Sequence, residues 1–310
     1  MLMAALVLAG CWLIAVYLPP ASALNDYYAL IVNKHRRLEA LKSPKIILVG
    51  GSNLVFGVDS RRLERAFGRP VVNMALNAGL GVAYELNEVK QDLKPGDTVL
   101  VSTEYYDGKA DLNALALMLQ SHPALEKYVE LNLLDRTALL FAVAQRRVIE
   151  RIPLRLDEIV KKTSQEGEGL DEAYKETALN RYGDVKLYVA RRQGMTIDHY
   201  RMQPFSYEEN IRQINRFADY ARRRSVTVYY CYPSTAATFY RRNRALISGV
   251  ERQMRQGLKI KIVGALQGYV FPDKLFYDTS YHLTGLGREI RTAKLINELR
   301  QAGVGAKTRR

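Results

Sequence analysis

Apolar residues in this chain fall into short unbroken runs that stop at turn residues, and between those runs they recur at helical spacing. A short unbroken run bounded by Gly, Pro or Asn marks a strand covered on both faces, as in a parallel sheet under helices. Residues 45–49 (Lys-Ile-Ile-Leu-Val) are the clearest such run, and they end at Gly50-Gly51-Ser52-Asn53. Runs at 70–73, 98–103, 226–232 and around 269–271 complete a predicted set of five strands. Asp59 can cap a helix through Phe67 that Gly68 closes. Helical spacing predicts further helices at 82–93, 207–224, 238–256 and 286–299. The alternation predicts an α/β fold: a three-layer α/β/α sandwich on a doubly wound, five-stranded parallel sheet. Residues 108–205 interrupt it with a polar, largely helical stretch, broken by the Gly/Glu-rich 165–169. That insert is too long for a plain loop and is expected to form a cap or side module.

The first eighteen residues are apolar without a single charge and end at Pro19-Pro20. Such a run is just long enough to span a bilayer and longer than a typical signal-peptide core. Leu8-Ala9-Gly10-Cys11 matches a lipoprotein cleavage box, but no basic residues precede it and the apolar run continues past Cys11. An uncleaved anchor over 1–24 is therefore expected, with a juxtamembrane helix or linker over 25–44. The α/β domain follows over 45–303, and a basic tail over 304–310. The domain would then face the periplasm or the outer surface.

Composition alters this picture little. With 48% hydrophobic and 25% charged residues the chain reads as an ordinary folded protein. The two cysteines, Cys11 and Cys231, provide no disulfide framework. No Cys/His cluster suggests a metal, and no cofactor is expected. The net charge of +14 raises nucleic acid as a partner. However, the arginines are scattered in small groups on predicted helices, with no zinc-finger, RNA-recognition or helix-turn-helix signature, so nucleic acid is set aside. A solvated basic face is the plain reading; attraction to an anionic polysaccharide or membrane surface is the sharper one. Twenty tyrosines against eight phenylalanines suit sugar faces.

Candidate chemistry sits at both ends of the α/β domain. Ligands of parallel sheets bind at the carboxyl ends of strands, where Ser52 stands. Near the C-terminus the chain reads Asp278-Thr279-Ser280-Tyr281-His282-Leu283-Thr284-Gly285 and then enters a helical pattern. A serine hydroxyl needs a base to take its proton, and a histidine oriented by a carboxylate supplies one. A helix N-terminus beside His282 favours the neutral imidazole such a base requires. Glu104, at the end of the third strand, either binds substrate or ties down a loop by accepting backbone amides.

With its serine block Gly51-Ser52-Asn53, its small-residue block from Asn73 to Gly81 and its terminal Asp278/His282 block, the chain resembles the SGNH/GDSL hydrolase superfamily. The likeness is to that family's membrane-anchored, extracytoplasmic bacterial members, and it spans about residues 45–299 around the insert. It implies the flavodoxin-like SGNH fold, Ser52 as nucleophile, His282 as base and Asp278 as its orienter. The amides of Ser52 and Gly79 would donate to the oxyanion. Two positions depart from the family pattern. A Gly-x-Asn-Asp block usually follows the third strand, but here the chain reads Glu104-Tyr105-Tyr106-Asp107, which leaves Asn77 or Asn53 to supply the third donor. The Asp and His are also four residues apart rather than three. Asn53, Glu104, Tyr105 and Tyr281 are the expected substrate contacts. The resemblance implies a serine esterase or acyltransferase working on O-acyl groups, O-acetyl first among them, of a surface or exported polysaccharide, with a membrane-bound protein as one source of the acyl group. A catalytically silent assembly or binding factor of an envelope-polysaccharide machine is the alternative.

Overall fold

A computed structural model describes residues 2–17, 26–149, 172–186, 189 and 200–305. Pro19-Pro20, the 165–169 break and the tail beyond 305 lie outside them. Helix α1 (Leu2–Tyr17) is followed by α2 (Asp26–Ala40), then by strand β1 (Ile46–Gly50) and helices α3 (Ser52–Gly57) and α4 (Ser60–Phe67). Next come β2 (Val71–Asn73), α5 (Val82–Lys90), β3 (Thr98–Ser102), α6 (Leu112–Ser121) and α7 (Leu133–Ile149). Helix α8 (Glu208–Arg222) leads to β4 (Thr227–Cys231) and β5 (Thr235–Ala236). Helices α9 (Ala237–Arg242) and α10 (Arg244–Gly257), strands β6 (Lys261–Val263) and β7 (Val270–Phe271), and α11 (Gly285–Gln301) complete the order.

Five strands form one parallel sheet in the order β2-β1-β3-β4-β6. Strands β1 and β3 are buried along their whole length, which is why they read as unbroken apolar runs. The chain leaves β1 towards β2 and comes back to β3 on the other side, so the topological switch falls between β1 and β3. Right-handed crossovers then place the β1–β2 connection on one face and the later ones on the other. The helix contacts divide accordingly, with α11 against α3 and α4, and α8 against α5 and α10. Local signals work as expected at α4: Asp59 accepts the Arg62 amide at 2.9 Å, and Gly68 closes the helix at φ 61°.

The expected fifth strand at 269–271 is corrected. The fifth strand of the sheet is β6, whose short Lys-Ile-Val sequence is half exposed at the sheet edge and carries little apolar signal. Residues 270–271 pair instead with β5 in a separate two-stranded sheet. There, Ala236 N–H donates to the Ser280 carbonyl, which ties the loop after β4 to the loop carrying His282. The single helix expected over 238–256 breaks at Asn243. That side chain accepts from the Met202 amide and donates to the Tyr200 and Phe239 carbonyls, and so stops α9.

The stretch after residue 108 divides in two. Helices α6 and α7 build a second core with α2, through Tyr28, Ile31, Leu115, Met118, Leu139 and Val143. Residues 172–186 return to the main core, where Ala173 and Val185 are buried. Lys34 pins α2 to this returning segment, its ammonium donating to the carbonyls of Asn73, Ala75 and Gly183. Helix α1 packs along α7 with Met3, Leu6, Trp12 and Leu13 exposed. Among the described residues no helix is long and apolar enough to cross a membrane.

Candidate active site

The turn after β1 has little steric freedom. Gly50 adopts φ 151°, and a Cβ there would lie 2.0 Å from the Ser102 carbonyl oxygen. A Cβ on Gly51 would lie 2.2 Å from a Glu104 carboxyl oxygen. Only glycine fits at either position, and the turn delivers Ser52 to the first position of α3. Asn53 is fully buried beneath it. Its side chain donates to the Ser102 carbonyl and accepts from the Ser102 hydroxyl and Arg291.

The structure brings Ser52, His282 and Asp278 together. The Ser52 hydroxyl donates to His282 Nε2 at 2.7 Å, and His282 Nδ1–H donates to Asp278 Oδ1 at 2.8 Å. The Asp278 bond assigns the ring proton to Nδ1 and leaves Nε2 free to accept the serine proton. A tight loop absorbs the four-residue spacing. Tyr277 N–H donates to the His282 carbonyl, His282 N–H donates to Thr279 Oγ1, and Phe276 bridges Leu283. Thr284 then caps α11. Burial pushes the Asp278 carboxyl up, but the hydrogen bond and charge of His282 and the Tyr174 hydroxyl outweigh it. The group sits below the usual carboxylate range.

Two aromatic partners of this triad escaped the sequence reading. Tyr174 donates its hydroxyl to Asp278 Oδ2, and that hydroxyl also lies 3.0 Å from His282 Nδ1. It comes from a polar Asp-Glu-Ala-Tyr-Lys segment with no apolar period to single it out. Phe56 stacks on the imidazole at 4.2 Å between ring centres and 9° between planes, fixing the ring's tilt. Arg291 was also missed. Fully buried, it donates from Nη1 to the Asn53 carbonyl at 2.6 Å and from Nη2 to the Asn53 side chain at 3.0 Å, clamping α11 to the nucleophile turn. Gly57 makes room for it, since a Cβ there would lie 2.2 Å from Arg291 Nη1.

Several expected contacts are corrected. The Gly79 amide already donates to Asn77 Oδ1 at 2.8 Å, and Asn77 Nδ2 donates to the Tyr28 hydroxyl, so neither waits for an oxyanion. Asn53 has its side chain fully engaged below the turn and cannot reach substrate. The Ser52 amide, first in α3, has no intrahelical acceptor and stands as the expected donor that the geometry leaves open. Glu104 is buried and accepts the Asn53 amide at 2.9 Å, so it ties the turn to β3 rather than facing an open cleft. Burial pushes its carboxyl up, against the pull of that amide. Tyr105 belongs to the main core. Tyr281 is half-buried beside it, the two rings 6.4 Å apart, with its hydroxyl enclosed. Among the described residues no group of His, Cys, Asp or Glu side chains is arranged to hold a metal ion.

The chain matches no protein-family model and no curated protein.

Proposed function

We propose that this chain is a serine esterase or acyltransferase of SGNH type acting on O-acyl groups of a cell-surface or exported polysaccharide. The supporting observation is the continuous relay from Ser52 through His282 to Asp278, at 2.7 Å and 2.8 Å. In this reading Ser52 Oγ attacks the acyl carbonyl while His282 Nε2 takes its proton. The imidazolium is stabilised by Asp278, and its Nε2–H then protonates the departing sugar oxygen as the carbonyl re-forms. Water or a second sugar hydroxyl, deprotonated by the same imidazole, then attacks the acyl-serine carbonyl; the ester bond to Ser52 breaks and His282 Nε2–H returns its proton to Ser52 Oγ. Hydrolysis and transfer share every residue and differ only in the acceptor. A fluorophosphonate probe should label Ser52 in the intact protein and leave Ser52→Ala unlabelled. Equal labelling of both would sink the reading.

The second reading, a silent assembly or binding factor, draws on the engaged Gly79 and Asn77. One missing oxyanion donor costs about 3 kcal/mol of transition-state stabilisation. Ser52→Ala and His282→Ala proteins that restored polymer modification to a deletion strain would decide for it.

A further inference from the structure

The segment that carries Tyr174 also walls a basic cleft. About 520 Å³ in volume, the cleft has Arg61, Arg181, Lys186 and Arg288 as its cationic lining and Asp59 and Asp184 as its acids. The acids do not balance the cations. Asp184 is buried, and its two oxygens accept from the Ser60 amide and hydroxyl and the Asn73 side chain. Asp59 is occupied in capping α4. Two of the guanidiniums are held in place. Arg181 lies over the Tyr182 ring, 5.0 Å from its centre, and donates to that ring's hydroxyl at 2.9 Å. Arg288 Nη1 donates to the Val185 carbonyl at 2.6 Å. Each bond uses only part of a planar fork of N–H donors, leaving the rest for a ligand whose oxygens match that geometry.

A second cleft of about 380 Å³ shares Asn180 and Arg181 with the first and adds Arg36 and Arg37 to the wall. Arg37 is already paired with Glu64 at 3.6 Å and donates to the Val71 carbonyl, so Arg36 is the cation the second cleft adds. Adjoining at Asn180 and Arg181, the two clefts make a trough whose spaced cations suit successive charges on one chain rather than a single small anion. The trough abuts the triad's own elements. Val185 N–H donates to the Val55 carbonyl of α3 at 3.0 Å, and Arg288 lies in the first turns of α11, just beyond His282.

We propose that this trough binds an anionic carbohydrate polymer through carboxylates on successive sugar units. Arginine forks pair bidentately with carboxylates, and a recessed trough accepts a chain, whereas a flat bilayer surface would not reach its walls. The proposal rests on the carbohydrate reading above for the kind of polymer, and its test is separate from catalysis. Full-length Ser52→Ala protein, which cannot consume an ester, is titrated with polygalacturonate and with neutral dextran. Polygalacturonate is expected to bind and dextran not to. Adding Arg61→Ala, Arg181→Ala and Lys186→Ala should weaken polygalacturonate binding at least about tenfold. Charge-keeping Arg61→Lys, Arg181→Lys and Lys186→Arg should leave binding intermediate between the intact protein and the alanine variant, because the charge stays while two bidentate forks are lost; a loss as large as with alanine would show that fork geometry, and not charge alone, is what the ligand reads. Unchanged binding by the alanine variant, or equal binding of dextran, overturns the proposal. So does binding of anionic phospholipid vesicles through the same three residues without binding of polygalacturonate. Failure of fluorophosphonate labelling would strike the catalytic reading and leave this measurement standing.

Discussion

Tyr174 is the residue that most changes how the triad works. Its hydroxyl holds the outer oxygen of Asp278 while His282 holds the inner one, and both keep that carboxyl ionised below its ordinary range. A carboxyl whose folded pKa is depressed makes the folded state bind fewer protons than the unfolded one in the window between the two values. The stability it confers is complete above the ordinary value of 3.8 and is lost as pH falls through the folded value. Tyr174→Phe narrows that window from below. The acid-unfolding midpoint, followed by circular dichroism, is expected to move to higher pH by roughly a few tenths of a unit, because the bond that held the carboxyl's pKa down is lost. Fluorophosphonate labelling at neutral pH should slow by about tenfold, because a charge-assisted hydrogen bond that orients the base is gone. An unchanged labelling rate would show that Asp278 and the Phe56 stack hold the imidazole without help from Tyr174.

Elements meet at the site through a few buried polar ties. Lys45 at the start of β1 and Asp97 before β3 form an ion pair at 3.0 Å with both side chains wholly buried. Asp97 also accepts the Lys45 and Lys94 amides. This tie sets the register of the two central strands whose far ends carry Ser52 and Glu104. Asp97→Ala leaves a buried ammonium without its counter-charge and should cost about 3–5 kcal/mol in urea unfolding. Lys45→Met with Asp97→Leu should recover the part due to the unpaired ammonium but not the part due to the Lys45 and Lys94 amides, which lose their acceptor; a double variant as unstable as the single one would contradict this account. Strands and caps of this kind were legible in sequence because they depend on local chemistry: apolar runs for β1 and β3, Asp59 and Gly68 for α4. The break at Asn243 and the edge strand β6 were not. One depends on carbonyls brought in from Tyr200, and the other is too exposed to carry an apolar run.

At the scale of the whole molecule, α1 and α7 place apolar side chains in solvent together: Leu6, Trp12 and Leu13 on one, Leu133, Leu134 and Phe141 on the other. The sixteen residues of α1 rise about 24 Å, short of the ~30 Å hydrocarbon core. The proposed anchor therefore calls for a direct measurement. Full-length protein is expected in the membrane fraction and protein lacking residues 1–24 in the soluble one; equal distribution would remove the anchor from the account. The sequence alone determined the parallel α/β frame, the glycine turn that presents Ser52 and the pairing of an Asp with His282, because runs, caps and turn glycines follow from neighbours in the chain. Tertiary structure alone decided who else stands there. Tyr174 and Arg291 arrive from segments more than a hundred residues away from the nucleophile turn, and Asn53, Gly79, Asn77 and Glu104 find bonding partners that occupy them. A side chain's free hydrogen-bonding capacity depends on what folds against it, and no local pattern records that.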